Sequence, residues 1–145
     1  MVVEAVKETS PEITAAITRL LPLLSKSATP PSREQVAEIV DSPVSTLFIA
    51  RDEESREIVG TLTLVVFRIP SGIRAWIEDV IVAEEARGQG CGELLNRAAL
   101  DAAHAAGART VELTSRPSRD AANRLYRRIG FVERETNVYR YTLEQ

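Results

Sequence analysis

A glycine-rich segment in the middle of the chain is the clearest candidate for a ligand-binding site. Residues Arg87–Gly92 read Arg-Gly-Gln-Gly-Cys-Gly, between an apolar strand candidate at Trp76–Val82 and an amphipathic helix candidate that begins at about Gly90. Three glycines in five residues cost backbone entropy and add nothing to a hydrophobic core. Because a helix N-terminus presents unpaired N–H groups and the positive end of the helix dipole, the segment predicts a phosphate ligand.

The spacing of these glycines distinguishes between the known phosphate-binding motifs. The dinucleotide motif G-x-G-x-x-G would place its third glycine at Glu93 and would follow a strand directly, whereas Ala83–Ala86 intervene. The P-loop needs a lysine, and none lies nearby. The pattern [QR]-x-x-G-x-[GA] does match, at Arg87, Gly90 and Gly92. A tight strand-to-helix connection without a ligand is the alternative that the glycines alone leave open.

The matching pattern resembles the cofactor-binding turn of the GNAT superfamily of acyl-CoA-dependent N-acyltransferases. The resemblance implies that main-chain N–H groups of the turn bind the pyrophosphate of coenzyme A, namely those of Arg87, Gly88, Gln89, Gly90, Cys91 and Gly92. The Arg87 side chain would add positive charge. The pantetheine arm would pair with the main chain of Ile81 and Val82, and an N–H group near Val80 would polarise the thioester carbonyl. Val80–Val82 could also be core alone, and the two interpretations are compatible.

Two adjacent carboxylates, Glu78 and Asp79, interrupt the apolar strand and are candidates for the general base that deprotonates an amine. Successive strand residues face opposite sides, so we expect only one of them to point into a given site. The run Ile77–Val80 is similar to that of glucosamine-6-phosphate N-acetyltransferases, in which acidic residues of this strand line the acceptor site. Glu78 is the first candidate and Asp79 the second. A cross-strand salt bridge or an exposed edge is the structural alternative.

Tyr126 is the candidate general acid. Leu125–Phe131 resembles the L-Y-x-x-x-G-F element of the GNAT family, in which the tyrosine hydroxyl protonates the departing sulfur. Packing of an amphipathic helix is the alternative. Many members of the family have an asparagine seven residues before this tyrosine, where it contacts pantetheine. Here that position is Arg119, and Asn123 is the nearest residue that could supply an amide contact instead.

The single cysteine and the single histidine exclude several other kinds of site. One Cys and one His cannot form a Cys/His zinc site, and we expect no metal. Cys91 lies at the predicted N-terminus of a helix, a position that can lower a thiol pKa. Its only possible His partner, His104, lies more than three helical turns away along the same helix, which argues against a catalytic cysteine.

Hydrophobic periodicity and turn residues predict a single α/β (α+β) domain over residues 1–145. The expected order is β-α-α-β-β-β-α-β-α-β-β. This order is similar to that of the GNAT fold, and the resemblance implies a mixed sheet of about six to seven strands and about four helices. Ser10 and Ser32 are the predicted N-caps of the first two helices. Phe131–Arg134 and Asn137–Leu143 are expected to form a final hairpin, and Gly60 to mark a bulge.

Composition narrows the function classes further. The chain has 145 residues, 44% hydrophobic, with a formal net charge of −3, which disfavours a general nucleic-acid binder. The absence of a secretory signal and of a long apolar run favours a cytoplasmic protein without membrane contact.

The function predicted from these features is transfer of an acetyl group from acetyl-CoA to a primary amine of a small molecule, by direct attack in a ternary complex. Acetylation of a protein N-terminus or lysine is the first alternative, and a non-catalytic acyl-CoA-binding sensor is the second. Many GNAT proteins dimerise, so a homodimer is possible by analogy.

Overall fold

The computed structural model describes residues 1–145, and its internal contacts divide the chain into two units, Met1–Thr114 and Ser115–Gln145. The first unit contains β1 (Val2–Ala5), α1 (Pro11–Leu20), α2 (Arg33–Asp41), β2 (Ser45–Arg51), β3 (Ile58–Ile69), β4 (Gly72–Val82), α3 (Cys91–Ala105) and β5 (Thr110–Glu112). The second contains α4 (Asp120–Ile129). None of the four α-helices combines the length and the apolar character needed to span a bilayer.

The five strands form one mixed sheet in the order β1-β2-β3-β4-β5. The pairs from β1 to β4 are antiparallel, whereas β5 runs parallel to β4. A parallel pair needs a crossover connection, and α3 supplies it between β4 and β5. This connection places the glycine-rich segment at the end of β4, directly before α3.

Local sequence signals explain where the first two helices begin. The Ser10 side chain accepts a hydrogen bond from the Ile13 N–H at 3.3 Å, and Pro11 occupies the first helical position. Ser32 and Gln35 form a reciprocal capping box, with side-chain bonds of 3.2 and 2.9 Å to the backbone. Both helix starts are the ones predicted from the sequence.

Helices cover both faces of the sheet. Ile49 and Ala50 are successive residues of β2 and both are buried, so neither face is open at that point. Ala50 pairs with Gly60, whose Cα faces Cys91 and Leu95 of α3. The opposite face is covered by α1 and α2, which contact β3 and β2 respectively.

The second unit differs from the sequence prediction. Residues 131–145 contain no strand, so the expected hairpin at Phe131–Arg134 and Asn137–Leu143 is wrong and the sheet has five strands, fewer than predicted. Alternating apolar residues such as Tyr139 and Tyr141 suggested a strand, but the intervening Glu135-Thr136 lacks the glycine or asparagine that favours a tight hairpin turn. A hairpin on its own is also only marginally stable.

Candidate active site

The glycine-rich turn has a backbone that requires glycine at two positions. Gly88 and Gly90 have φ angles of 78° and 82°, in the left-handed region that other residues adopt only at a cost. A Cβ on either residue would meet no atom within 4 Å, so space is not the constraint. The Gln89 side chain donates to the Glu85 carbonyl at 2.9 Å and holds the turn against the preceding 3-10 helix, Glu84–Ala86.

Gly92 is a glycine for a different reason. It lies in the first turn of α3 and is absent from the positive-φ positions, so its conformation does not call for glycine. A helical glycine costs up to about 1 kcal/mol relative to alanine. Its presence leaves the main chain of the first turn uncovered, as close approach of a ligand requires.

The N-terminus of α3 supplies donors for an anion. The first intrahelical bond runs from the Leu94 N–H to the Gly90 carbonyl at 3.0 Å, so the N–H groups of Cys91 and Gly92 precede the helical ladder. A diphosphate is the kind of group that such donors bind. The Arg87 N–H donates to the Glu84 carbonyl at 3.2 Å, so this donor already has a partner within the chain, and its contact with a cofactor stays a prediction. The Arg87 side chain is exposed.

Cys91 is a packing residue. Its side chain is buried, and burial raises the pKa of the thiol to about 11. The helix N-terminus therefore does not lower this pKa, because loss of hydration outweighs the helix dipole at a fully covered position. His104 lies exposed near the opposite end of α3, about 20 Å along the helix axis. A thiol–imidazole pair is excluded on both grounds.

A β-bulge in β4 determines how the two carboxylates are presented. Thr63 pairs with Glu78 and Thr61 pairs with Ile81, so two residues of β4, Asp79 and Val80, lie opposite one residue of β3. Asp79 has a φ of 49°, in the left-handed region. Strict alternation would place only one carboxylate on an open side, but the bulge breaks the alternation and both are exposed. The expectation that only one of them points into a given site stays a prediction.

The bulge also changes the chemistry of Glu78. Partial burial of its carboxyl group raises the pKa of Glu78, and the negative charge of Asp79 raises it further. Neither residue takes part in an ion pair, which removes the cross-strand salt bridge as an explanation. A carboxylate with a raised pKa is a stronger base than an ordinary one, as removal of a proton from an amine requires.

The main chain after the bulge has an open side. β5 pairs with β4 only over Arg74–Trp76, and β5 ends at Glu112. The strand β4 continues to Val82 without a β5 partner, so main-chain groups of Ile81 and Val82 are not used by β5. An extended ligand with amide groups can pair with such an edge. The Ile81 side chain is buried, so this residue also belongs to the hydrophobic core.

In the second unit, Tyr126 of α4 is half-buried. Burial raises the pKa of Tyr126, and the positive charge of Arg119 opposes that effect. Arg119 is the N-cap residue of α4, without a capping bond from its side chain. The Asn123 side chain donates to the Arg116 carbonyl at 2.9 Å and so stabilises the loop before α4. Nothing in this arrangement assigns either Arg119 or Asn123 to a cofactor, and their cofactor contacts stay predictions.

Sequence reasoning missed one polar residue beside the turn. Asn96 is fully buried and donates from Nδ2 to the Gly92 carbonyl at 2.8 Å, whereas its Oδ1 has no hydrogen-bond partner. Leu94, two residues earlier in α3, is 42% exposed. Asn96 occupies the core position instead, since its bond to the first turn offsets part of the cost of burying an amide.

Comparison with known protein families identifies the family of this chain. The model of the Acetyltransferase (GNAT) family matches residues 15–131. No curated protein is similar enough to match the sequence.

Three solved structures show the same fold. An aminoglycoside acetyltransferase from an uncultured soil metagenomic sample, in complex with sisomicin, has a TM-score of 0.86 and 23% identity, over 99% of this chain and 96% of that one. A Trypanosoma brucei acetyltransferase has a TM-score of 0.78 and 23% identity, over 98% and 99%. Glucosamine-6-phosphate N-acetyltransferase from Arabidopsis thaliana has a TM-score of 0.78 and 19% identity, over 97% and 99%. Since the family model covers most of its residues, the chain belongs to the GNAT acetyltransferase family.

Proposed function

We propose that the protein is an N-acetyltransferase that moves an acetyl group from acetyl-CoA to a primary amine of a small molecule. The observation that carries the proposal is the N-terminal end of α3. There, Gly88 and Gly90 hold a left-handed turn, and Cys91 and Gly92 present N–H groups that precede the helical ladder. The strand β4, which leads into this turn, exposes two carboxylates. The donors for a diphosphate and the base for an amine therefore lie on the same β4–α3 segment of the chain.

The cofactor's contacts follow from the same connection. Acetyl-CoA supplies the acetyl group as a thioester, which an amine can attack. In the proposal, the N–H groups of Cys91 and Gly92 and the Arg87 guanidinium bind its diphosphate. The pantetheine arm pairs with the main chain of Ile81 and Val82, the part of β4 that β5 leaves free.

Two proton movements accompany the transfer. A C–N bond forms and the C–S bond breaks, so the amine must lose one proton and the departing sulfur must gain one. Glu78 accepts the first proton, directly or through water, because its raised pKa makes it a better base; Asp79 is the second candidate. Tyr126 donates the second, and its raised pKa keeps the hydroxyl protonated at neutral pH. Attack is direct, since the buried Cys91 thiol offers no nucleophile.

The first unit has features that suit a cationic acceptor. Residues 1–114 carry 11 Lys and Arg against 17 Asp and Glu, a formal net charge of −6. Trp76 and Glu78 share the face of β4 opposite α3, and Trp76 is only half-buried there. Two structural relatives are named as acetyltransferases of an aminoglycoside and of glucosamine-6-phosphate, both of which carry amines. A small amine that approaches this face would meet the ring and the carboxylate together.

Calorimetric titration with acetyl-CoA, and separately with NAD⁺, is the first test. Binding of acetyl-CoA but not NAD⁺, followed by thiol release with small amines, supports the proposal. Absence of acetyl-CoA binding contradicts the assignment of the turn. Acetylation of peptide N-termini or lysines but not of small amines would favour the protein-directed alternative. Binding without any turnover would favour a sensor.

A further inference from the structure

Gly60 of β3 lies in contact with the first residue of α3. A Cβ added to Gly60 would lie 2.7 Å from Cys91 Sγ, 3.1 Å from Leu95 Cδ1 and 3.3 Å from the Ile81 carbonyl oxygen. The φ angle of Gly60 is not positive, so conformation does not call for glycine at this position. The close approach of α3 is what requires glycine here.

The contact belongs to a part of the core that has no spare room. Cys91 is 1% exposed and Leu95 is 0% exposed, and both residues press toward the same point of β3. Apolar atoms pack at about 3.5–4.0 Å, so a Cβ at Gly60 would require the N-terminus of α3 to move outward by about 1 Å. Interiors packed at native density transmit such a displacement because they have few voids to absorb it.

We propose that Gly60 is a positioning residue for the cofactor-binding turn. Its missing side chain lets the N-terminus of α3 seat directly against β3, and the Cys91 thiol acts as the spacer that sets the distance. Cys91 lies between Gly90 and Gly92, so any outward movement of its side chain carries the N–H donors of the turn with it. This inference rests on the proposed binding of acetyl-CoA at the turn.

A double-variant cycle on acetyl-CoA affinity tests the inference. Gly60→Ala is expected to raise the Kd of acetyl-CoA at least about tenfold, a change equivalent to about 1.4 kcal/mol. Cys91→Ala alone is the reference for the combined variant, because both lack the thiol. The combined variant Gly60→Ala/Cys91→Ala is expected to bind within about threefold of Cys91→Ala, since the shortest contact is gone.

Gly107→Ala is the matched control. Gly107 lies just beyond the other end of α3, and its φ of 88° makes the substitution costly for stability. We expect a lower melting temperature with an unchanged Kd, which separates a loss of stability from a displaced turn. Should Gly60→Ala fail to fold, the combined variant compared with Cys91→Ala still measures the rescue.

Two results would overturn the inference. One is a Gly60→Ala variant that binds acetyl-CoA as tightly as the wild type. The other is a combined variant whose affinity stays as low as that of Gly60→Ala. If the wild-type protein does not bind acetyl-CoA, the proposed function fails first, and this outcome is distinct from the other two.

Discussion

The ring of Phe131 meets the ring of Tyr126 edge-on, with centroids 5.7 Å apart and planes inclined by 74°. Gly130 makes this contact possible, because its φ of 124° ends α4 and turns the chain back. The N–H groups of Gly130 and Phe131 both donate to the Tyr126 carbonyl, at 3.1 and 2.9 Å. Gly130 therefore ends the helix at the position that brings Phe131 against Tyr126, and this contact orients the tyrosine ring.

Tyr126→Phe removes the proposed general acid and retains the ring contact with Phe131. We expect kcat to fall by about 10²-fold or more, with little change in the Kd of acetyl-CoA. Steady-state kinetics and calorimetry on the same preparation measure the two quantities. An unchanged kcat would show that Tyr126 is not the acid.

Arg119→Gln should move the alkaline limb of the pH–rate profile. The charge of Arg119 lowers the pKa of Tyr126 against the larger effect of burial. Removing that charge lets the Tyr126 pKa rise, so the loss of activity at high pH is expected to begin at a higher pH. Arg127→Gln on the exposed side of the same helix is the control, and an equal shift in both variants would contradict the assignment.

Glu78 and Asp79 should determine where activity is lost on the acid side of the pH–rate profile. Activity that needs ionised Glu78 rises with pH through the raised pKa of Glu78, and Glu78→Gln is expected to remove this limb and most of kcat. Asp79→Asn removes one cause of the raised pKa, so the limb is expected to move to lower pH. If Asp79→Asn abolishes the limb instead, the base is Asp79.

The raised pKa of Glu78 also makes the stability of the fold depend on pH. A carboxyl group with a raised pKa binds its proton more tightly in the folded state than in the unfolded one, so its contribution to stability falls as pH rises through that range. Glu78→Gln is therefore expected to unfold at a higher temperature than the wild type at neutral pH, with the difference vanishing in acid. Scanning calorimetry at several pH values provides the measurement.

Gly90→Asp should abolish binding of acetyl-CoA in a folded protein. A Cβ at Gly90 meets no atom within 4 Å, and aspartate tolerates a φ of 82° better than most residues. Its negative charge would occupy the place proposed for the diphosphate. Gly107→Asp, also at positive φ but beyond the far end of α3, is the matched control. Retained binding in Gly90→Asp would refute the diphosphate assignment.

Cys91 should be inert toward thiol reagents. With a pKa of about 11, only roughly one thiol in a thousand is ionised at pH 8. Burial also denies access to the sulfur. We expect no reaction with a disulfide reagent in the native protein and release of one equivalent after unfolding in denaturant. Rapid labelling of the native protein would contradict the buried position.

Asn96 offers a test of how a buried amide is tolerated. Leucine has the same number and branching of side-chain heavy atoms, so Asn96→Leu removes an unpaired acceptor without opening a cavity. We expect the free energy of unfolding to change by less than about 1 kcal/mol, or to rise. Asn96→Asp would bury a charge and is expected to cost about 3 kcal/mol or more. Chemical denaturation of both variants compares the two directly.

Local signals predicted much of the fold. Ser10, Pro11 and Ser32 set helix starts through groups within three residues, so the sequence alone contains the cause. The spacing of the glycines in Arg87–Gly92 likewise predicts a turn, and the structure gives Gly88 and Gly90 backbone angles that favour glycine.

Long-range effects could not be predicted in the same way. The bulge at Asp79 and Val80 depends on the register with β3, which no residue type in β4 reveals. Burial of Asn96 in place of Leu94 depends on a side-chain bond within the first turns of α3. The pKa of Cys91 depends on how closely β3 packs against it, and Gly60 gave no sign of this contact in the sequence.

The bulge makes β4 contribute apolar side chains to two cores. Ile77 lies opposite Leu64, which shares the α3 face of β3 with Gly60, whereas Ile81 lies opposite Thr61 on the other face. Two isoleucines four residues apart would share a face in a regular strand. Loss of either Asp79 or Val80 would leave one residue opposite Leu62, so Ile81 would keep its place opposite Thr61 while the bulge that exposes both carboxylates disappears. A one-residue deletion at the bulge should therefore leave the two cores in place and disrupt the proposed catalysis instead.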